Sequence, residues 1–110
     1  MELRTDLMKM ADLQRYRALL DRYKNIPDLG LVFGLTDNAK QSWWDHEDED
    51  RWEEMTLLFV TKSRTDVLAA ADMFREWAAT AHEGVACYQV GLDDEELPEG
   101  SSRYWLYILR

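Results

Sequence analysis

The chain has 110 residues, 46% of them apolar and 12% aromatic, and its 22 acidic against 13 basic side chains give a formal net charge of −9. That length makes one domain able to bury roughly two-thirds of its unfolded surface, and that composition excludes disordered and fibrous classes. One cysteine, Cys87, excludes an internal disulfide framework. No apolar run approaches the roughly 20 residues that cross a bilayer, and Met1-Glu2-Leu3-Arg4-Thr5-Asp6 lacks the basic-then-apolar profile of a secretion signal. A single cytoplasmic domain over residues 1–110 is therefore expected.

In chain order, residues 1–10 read either as a flexible lead-in or as a helical extension capped at Thr5. Residues 11–25 predict a helix with Asp12 as N-cap, an apolar face of Leu13, Tyr16, Leu19, Leu20 and Tyr23, and a stop at Pro27. Residues 30–36 and 55–62 predict strands, the second richer in apolar and β-branched types. Ser63-Arg64-Thr65-Asp66 has the spacing of a capping box and opens a helix over 64–82. Its apolar face is Val67, Ala70, Ala71, Phe74, Trp77, Ala78 and Ala81, with Gly84 as the stop. Residues 85–91 and 103–110 predict two more strands. The order αββαββ, with Gly30–Asp37 roughly matching Gly84–Asp93, reads as an αββ pseudo-repeat. The expected fold is α+β: two helices on one face of a four-stranded antiparallel sheet, in a permuted ferredoxin-like arrangement with the spatial order third, fourth, second, first.

The charge is concentrated rather than spread. Residues 45–54 carry seven acids against Arg51 alone, and residues 93–99 carry five acids and no base, so the rest of the chain is slightly basic. Two such clusters repel nucleic acid and attract cationic surfaces. Their plainer reading is a pair of solvated loops.

The sheet so predicted has a difficulty. Both central strands are apolar on both sides: Tyr104, Leu106 and Ile108 alternate with Trp105, Tyr107 and Leu109, and Met55, Leu57 and Phe59 with Thr56, Leu58 and Val60. An uncovered face of this kind exceeds what a monomer ordinarily exposes. A second copy of the chain is the expected cover, since two-fold dimers are the commonest assembly. The interface would then include Leu58, Val60, Tyr88, Trp105 and Tyr107. The alternatives are a partner, or the connection 37–54 folded back with Trp43, Trp44 and Trp52 as anchors.

That connection is longer than the roughly 12–15 residues beyond which loops tend to carry function. Tryptophans flanking carboxylates are what a protein-binding surface uses, the rings as anchors and the acids as selectors of a basic partner. Equally, such tryptophans commonly fix a loop to its own body. The segment lacks the glycine a calcium loop needs, and His46, His82 and Cys87 are too few for a zinc site. No nucleophile elbow, phosphate loop or dinucleotide fingerprint is present, and no cofactor is expected.

In size, charge and fold class the chain is similar to small acidic inhibitors: phage-encoded proteins that block host nucleic-acid-binding machinery, and immunity proteins that neutralise nuclease toxins. The expectation is a non-catalytic inhibitor that covers a basic, nucleic-acid-binding surface by charge mimicry. Its contact residues would be Trp43, Trp44, Asp45, Glu47, Asp48, Glu49, Asp50, Trp52, Asp93, Asp94, Glu95 and Glu96. The alternative is a dimeric sensor holding an apolar ligand between open sheet faces.

Overall fold

The computed structural model describes residues 1–15, 31–81 and 87–110. These hold strand β1 (Glu2–Thr5), helix α1 (Met10–Arg15), β2 (Leu31–Thr36), α2 (Ala39–Asp48), β3 (Glu54–Thr61), α3 (Arg64–Ala81), β4 (Cys87–Gly91) and β5 (Tyr104–Leu109). The fold is α+β. The expected Tyr16, Leu19, Leu20, Tyr23 and Pro27, and the stop at Gly84, lie outside the described residues, as do the side chains of Trp77, Ala78 and Ala81.

One mixed sheet runs β1-β3-β5-β2-β4. Strand β5 is antiparallel to both neighbours, β3 and β2, while β1 pairs parallel with β3 and β4 parallel with β2. This corrects the four-stranded antiparallel, ferredoxin-like expectation on three points. There is a fifth strand, since residues 2–5 form neither an arm nor a helix. Glu2 N donates to the carbonyl of Glu53 at 2.9 Å and Asp6 N to that of Leu57 at 2.9 Å, which ties the segment along β3. Strand β2 is interior rather than at an edge. Finally, β2 and β3 point the same way and are separated by β5, whereas β4 and β5 are antiparallel, so the two halves of the proposed repeat have different topologies.

The reason is the connection 37–54. Strands that run parallel need a crossover of a dozen or more residues, usually a helix, and α2 is that helix. Asn38 caps it, its side-chain oxygen accepting from Gln41 N at 3.1 Å. Thr36 Oγ1 accepts from Asn38 N at 3.0 Å and from Ser42 Oγ at 2.7 Å. Ala39, Trp43 and His46, at i, i+4 and i+7, turn towards the sheet.

Helices therefore lie on both faces. On one, α1 and α3 close over Phe33 and Leu35 of β2, Leu58 and Phe59 of β3, and Tyr104, Leu106 and Ile108 of β5. Leu13, Val67, Ala70, Ala71 and Phe74 are the helical contributions, and the rings of Phe33 and Phe74 stack with centroids 6.0 Å apart. The cap of α3 is as expected, Ser63 Oγ accepting from Asp66 N at 3.2 Å. Asp12 instead falls inside the first turn of α1, which starts two residues earlier. On the other face, α2 covers Val32, Met55, Leu57, Tyr107 and Leu109, with Trp52 buried among them and Trp43 packed against the group. The face expected to need a second copy is covered by the chain's own segment.

Strand β3 serves both cores through a bulge. Its register against β5 shifts between Leu57 and Phe59. An extra residue re-aims the strand, so Leu58 and Phe59 both enter the α1/α3 core, and Phe59 does not share the face of Met55 and Leu57 as simple alternation predicts.

Candidate functional site

The most organised polar feature among the described residues is a hydrogen-bonded chain under α2. It begins with a close approach. Tyr107 of β5 pairs with Gly34 of β2, and its ring lies across that glycine: a Cβ at residue 34 would sit 2.2 Å from the tyrosine Cζ and hydroxyl. Gly91, at φ +72°, gives way at the far end, where a Cβ would come 3.0 Å from the same hydroxyl. A glycine inside a strand marks such an approach. Tyr107 thereby reaches sideways over β2 to His46, its hydroxyl 2.8 Å from His46 Nε2.

His46 is 4% exposed and uses both ring nitrogens. Nδ1 lies 2.7 Å from Glu49 Oε1, and Glu49 Oε2 accepts from Trp52 Nε1 at 2.9 Å. Burial raises the Glu49 carboxyl, but the hydrogen bonds from Trp52 and His46 and the charges of His46 and Arg51 outweigh it, and the group ends below its ordinary 4.5. An ionised Glu49 assigns the proton to Nδ1, so in the neutral ring Nε2 accepts from the Tyr107 hydroxyl. Burial, reinforced by the nearby Glu49 charge, pushes the Tyr107 phenol well above its ordinary range, although the neighbouring Ser42 hydroxyl opposes this. The phenol therefore stays protonated. Carboxylate, imidazole and phenol are arranged as in a proton relay, but here each polar atom is engaged within the fold, and the chain pins α2 to the sheet.

Beside this chain is a pocket of about 240 Å³. Ser42, Asp45, His46 and Glu49, all on one side of α2, form one wall; Val90, Gly91 and Leu92 at the end of β4 form the other. Arg51, Trp52 and Tyr107 complete the lining, and the Arg51 guanidinium lies 4.5 Å from the centre of the Trp52 ring. A second pocket of about 210 Å³ lies outside α2, between Asn38, Lys40, Gln41 and Trp44. Among the described residues no three His, Cys, Asp or Glu side chains converge as a metal-ligand set, and no helix is long and apolar enough to cross a membrane.

The expected contact residues separate. Trp43 and Trp52 pack on the sheet, whereas Trp44 is 59% exposed. Asp45, Glu47, Asp48, Glu49 and Asp50 are all exposed; Glu47 pairs with the Met1 amine at 2.5 Å, and Glu49 turns its two oxygens to His46 and Trp52. Glu54, counted with this acidic run, is withdrawn from it: it is the first residue of β3, buried and bonded to Arg4 at 3.1 Å, Arg110 at 3.2 Å and Thr56 at 3.0 Å.

The second acidic segment is partly neutralised. Asp94 pairs with Arg75 at 2.7 Å and accepts from Gln89 Nε2 at 3.0 Å. Burial raises its carboxyl, and the bonds from Arg75 and Gln89 more than reverse this, leaving it below 3.8. Arg64 ties the same loop through the carbonyls of Asp94 at 2.8 Å and Leu97 at 2.9 Å. Asp93, Glu95 and Glu96 remain exposed. The two acidic runs lie at opposite ends of the sheet: residues 48–53 where β3 starts and β5 ends, residues 93–96 where β4 ends and β5 starts.

Of the residues expected on an open sheet face, Leu58 and Tyr107 are fully buried, and on opposite faces. Val60 and Trp105 are half-buried, and Tyr88 alone stays open at 56%. His82 lies outside the described residues. His46, which the sequence offers only as an insufficient metal ligand, and Gly34, which it offers only as part of a strand, are the residues that organise this site. The signals were a glycine inside an apolar strand, and a histidine seven residues after Ala39 on one helical face. Compared with protein-family models, curated proteins and solved structures, the chain matches none.

Proposed function

We propose that this protein is a non-catalytic acidic binding protein that covers a basic surface on a partner which itself binds nucleic acid. The observation that carries the reading is Trp44. It is 59% exposed on the outer side of α2, one turn from Glu47 and Asp48, while its neighbour Trp43 packs inward. Residues three and four apart on a helix share a surface patch. A solvent-facing tryptophan rimmed by carboxylates combines an anchor with a charge selector. The contact surface is therefore narrower than the sequence implied: Trp44, Asp45, Glu47, Asp48 and Asp50 at its centre. Asp93, Glu95 and Glu96 at the other end of the sheet add to the long-range field.

The test is capture of basic proteins on the immobilised chain at low and high salt, comparing wild type with Trp44→Ala and with the double variant Glu47→Lys, Asp48→Lys. All three positions are exposed; the charge reversal also gives up the Glu47 pair with the Met1 amine, so a far-UV spectrum and a urea midpoint check that the double variant is folded. Capture should be lost at high salt and cut at least tenfold by the charge reversal, because screened charge drives it. Capture indifferent to salt and to both variants overturns the reading.

A further inference from the structure

The pocket beside α2 shares His46, Glu49, Trp52 and Tyr107 with the hydrogen-bonded chain, yet its lining keeps acceptors and apolar surface that the chain does not use up. Asp45 spends Oδ1 on the Gln41 amide at 2.9 Å, and its other oxygen takes no hydrogen bond among the described residues. Glu49 accepts one bond on each oxygen, which leaves a carboxylate with room for more. Trp52 offers an aromatic wall, Val90 and Leu92 an apolar one, and Gly91 contributes no side chain to narrow the space. A ligand suited to this lining has an apolar stem and a flat cationic head.

The chain itself supplies a specimen of that head. The exposed Arg51 guanidinium stands over Trp52 and makes no ion pair within 4 Å among the described residues. It is held by the ring face and by the field of Glu49 rather than by a fork of hydrogen bonds. A contact of that kind is worth about 0.5–1 kcal/mol at an exposed site, so a better-placed guanidinium can displace it. Guanidinium is preferred to ammonium because its plane stacks on an aromatic ring and its donors match a carboxylate.

We infer that this pocket receives one arginine side chain of the basic partner, whose guanidinium takes the place of Arg51 on Trp52 and pairs with Asp45. The inference rests on the proposed function in taking the partner to be basic, and adds where that partner is gripped. Arg51 then acts as a placeholder that keeps the ring covered until the partner arrives.

The experiment titrates the full chain with N-acetylarginine amide, N-acetyllysine amide and the uncharged isostere N-acetylcitrulline amide, following the Trp52 indole and Gly91 amide resonances. The arginine probe should give saturable shifts at both sites, and the citrulline probe none. Asp45→Asn should weaken the arginine probe several-fold, and Arg51→Ala should tighten it by about threefold, the equivalent of the lost ring contact. Both side chains are exposed, and a far-UV spectrum checks that each variant is folded. Absence of saturation, equal binding of lysine or citrulline, or weaker binding to Arg51→Ala overturns the inference. If the partner is captured in a salt-sensitive way but Asp45→Asn and Arg51→Ala leave capture unchanged, the pocket assignment falls and the proposed function stands. If the arginine probe binds as expected while capture ignores salt, the reverse holds.

Discussion

On the α3 side of β5, Tyr104, Leu106 and Ile108 meet alanines and a phenylalanine stack, with a purely apolar middle. On the α2 side, Trp105, Tyr107 and Leu109 meet a helix whose inward residues include a serine and a histidine, and whose hold on the sheet runs through Glu49, His46 and the Tyr107 hydroxyl. The first face is closed by area and shape. The second is closed by two tryptophans and a line of directional bonds, each of which would be costly to leave unmade. A short, strongly charged helix can thus cover an apolar sheet, provided its few inward positions are large rings or paired polar groups.

Truncating an anchor on either side should cost the same, which puts the contrast elsewhere. Phe74→Ala and Trp52→Ala should each lose about 3–5 kcal/mol in urea unfolding; a much smaller loss for Trp52 would mean that α2 rests loosely on the sheet. Gly34→Ala should come next, at about 3 kcal/mol, because the tyrosine ring has no space to yield over β2. A neutral result there would show that Tyr107 leaves its place readily.

The faces should part company at Tyr107→Phe. It removes only a hydroxyl, yet strands His46 Nε2 in a buried site, and should cost about 1–3 kcal/mol. Acid sharpens the same contrast. The Glu49 carboxyl is lowered from 4.5 in the folded chain, so its contribution is present above about pH 4.5 and is lost as pH falls through the lower folded value. Urea midpoints taken down through that range should fall less steeply for Glu49→Gln than for wild type. The Asp94 carboxyl is also lowered, and its contribution is lost in the same way in both proteins, so it cancels in the comparison. The smallest effect should be Trp44→Ala, within about 0.5 kcal/mol of wild type, although it lies next to a structural tryptophan.

What could be read in advance follows the same divide. Helix α3 announces itself by an apolar stripe and the Ser63 cap, and strands β2 to β5 by runs of apolar and β-branched residues; all five fall within about two residues of the reading. Helix α2 is not legible in the sequence because its acids hide a stripe only three residues long, Ala39, Trp43 and His46, one of them polar. Strand β1 is not legible because Glu-Leu-Arg-Thr carries no alternation that buries anything: all four residues are exposed, and the strand is held by its backbone along β3. The strand order turned on α2 as well. Once 37–54 is a helix, β2 and β3 run parallel, and β5 can enter between them. The acidic runs were visible as composition, but their partners were not: Arg75 with Asp94, and Arg4 and Arg110 with Glu54, are contacts between residues far apart in the chain.

Strand β5 follows the other four in the chain and is the middle one of the sheet. Without it, β1–β3 and β2–β4 are two separate two-stranded ribbons that do not pair with each other among the described residues. Assembly of the sheet must therefore wait for β5 to enter the gap, a route dominated by distant pairings and correspondingly slow. A chain cut before Tyr104 would have no smaller version of this sheet to fall back on.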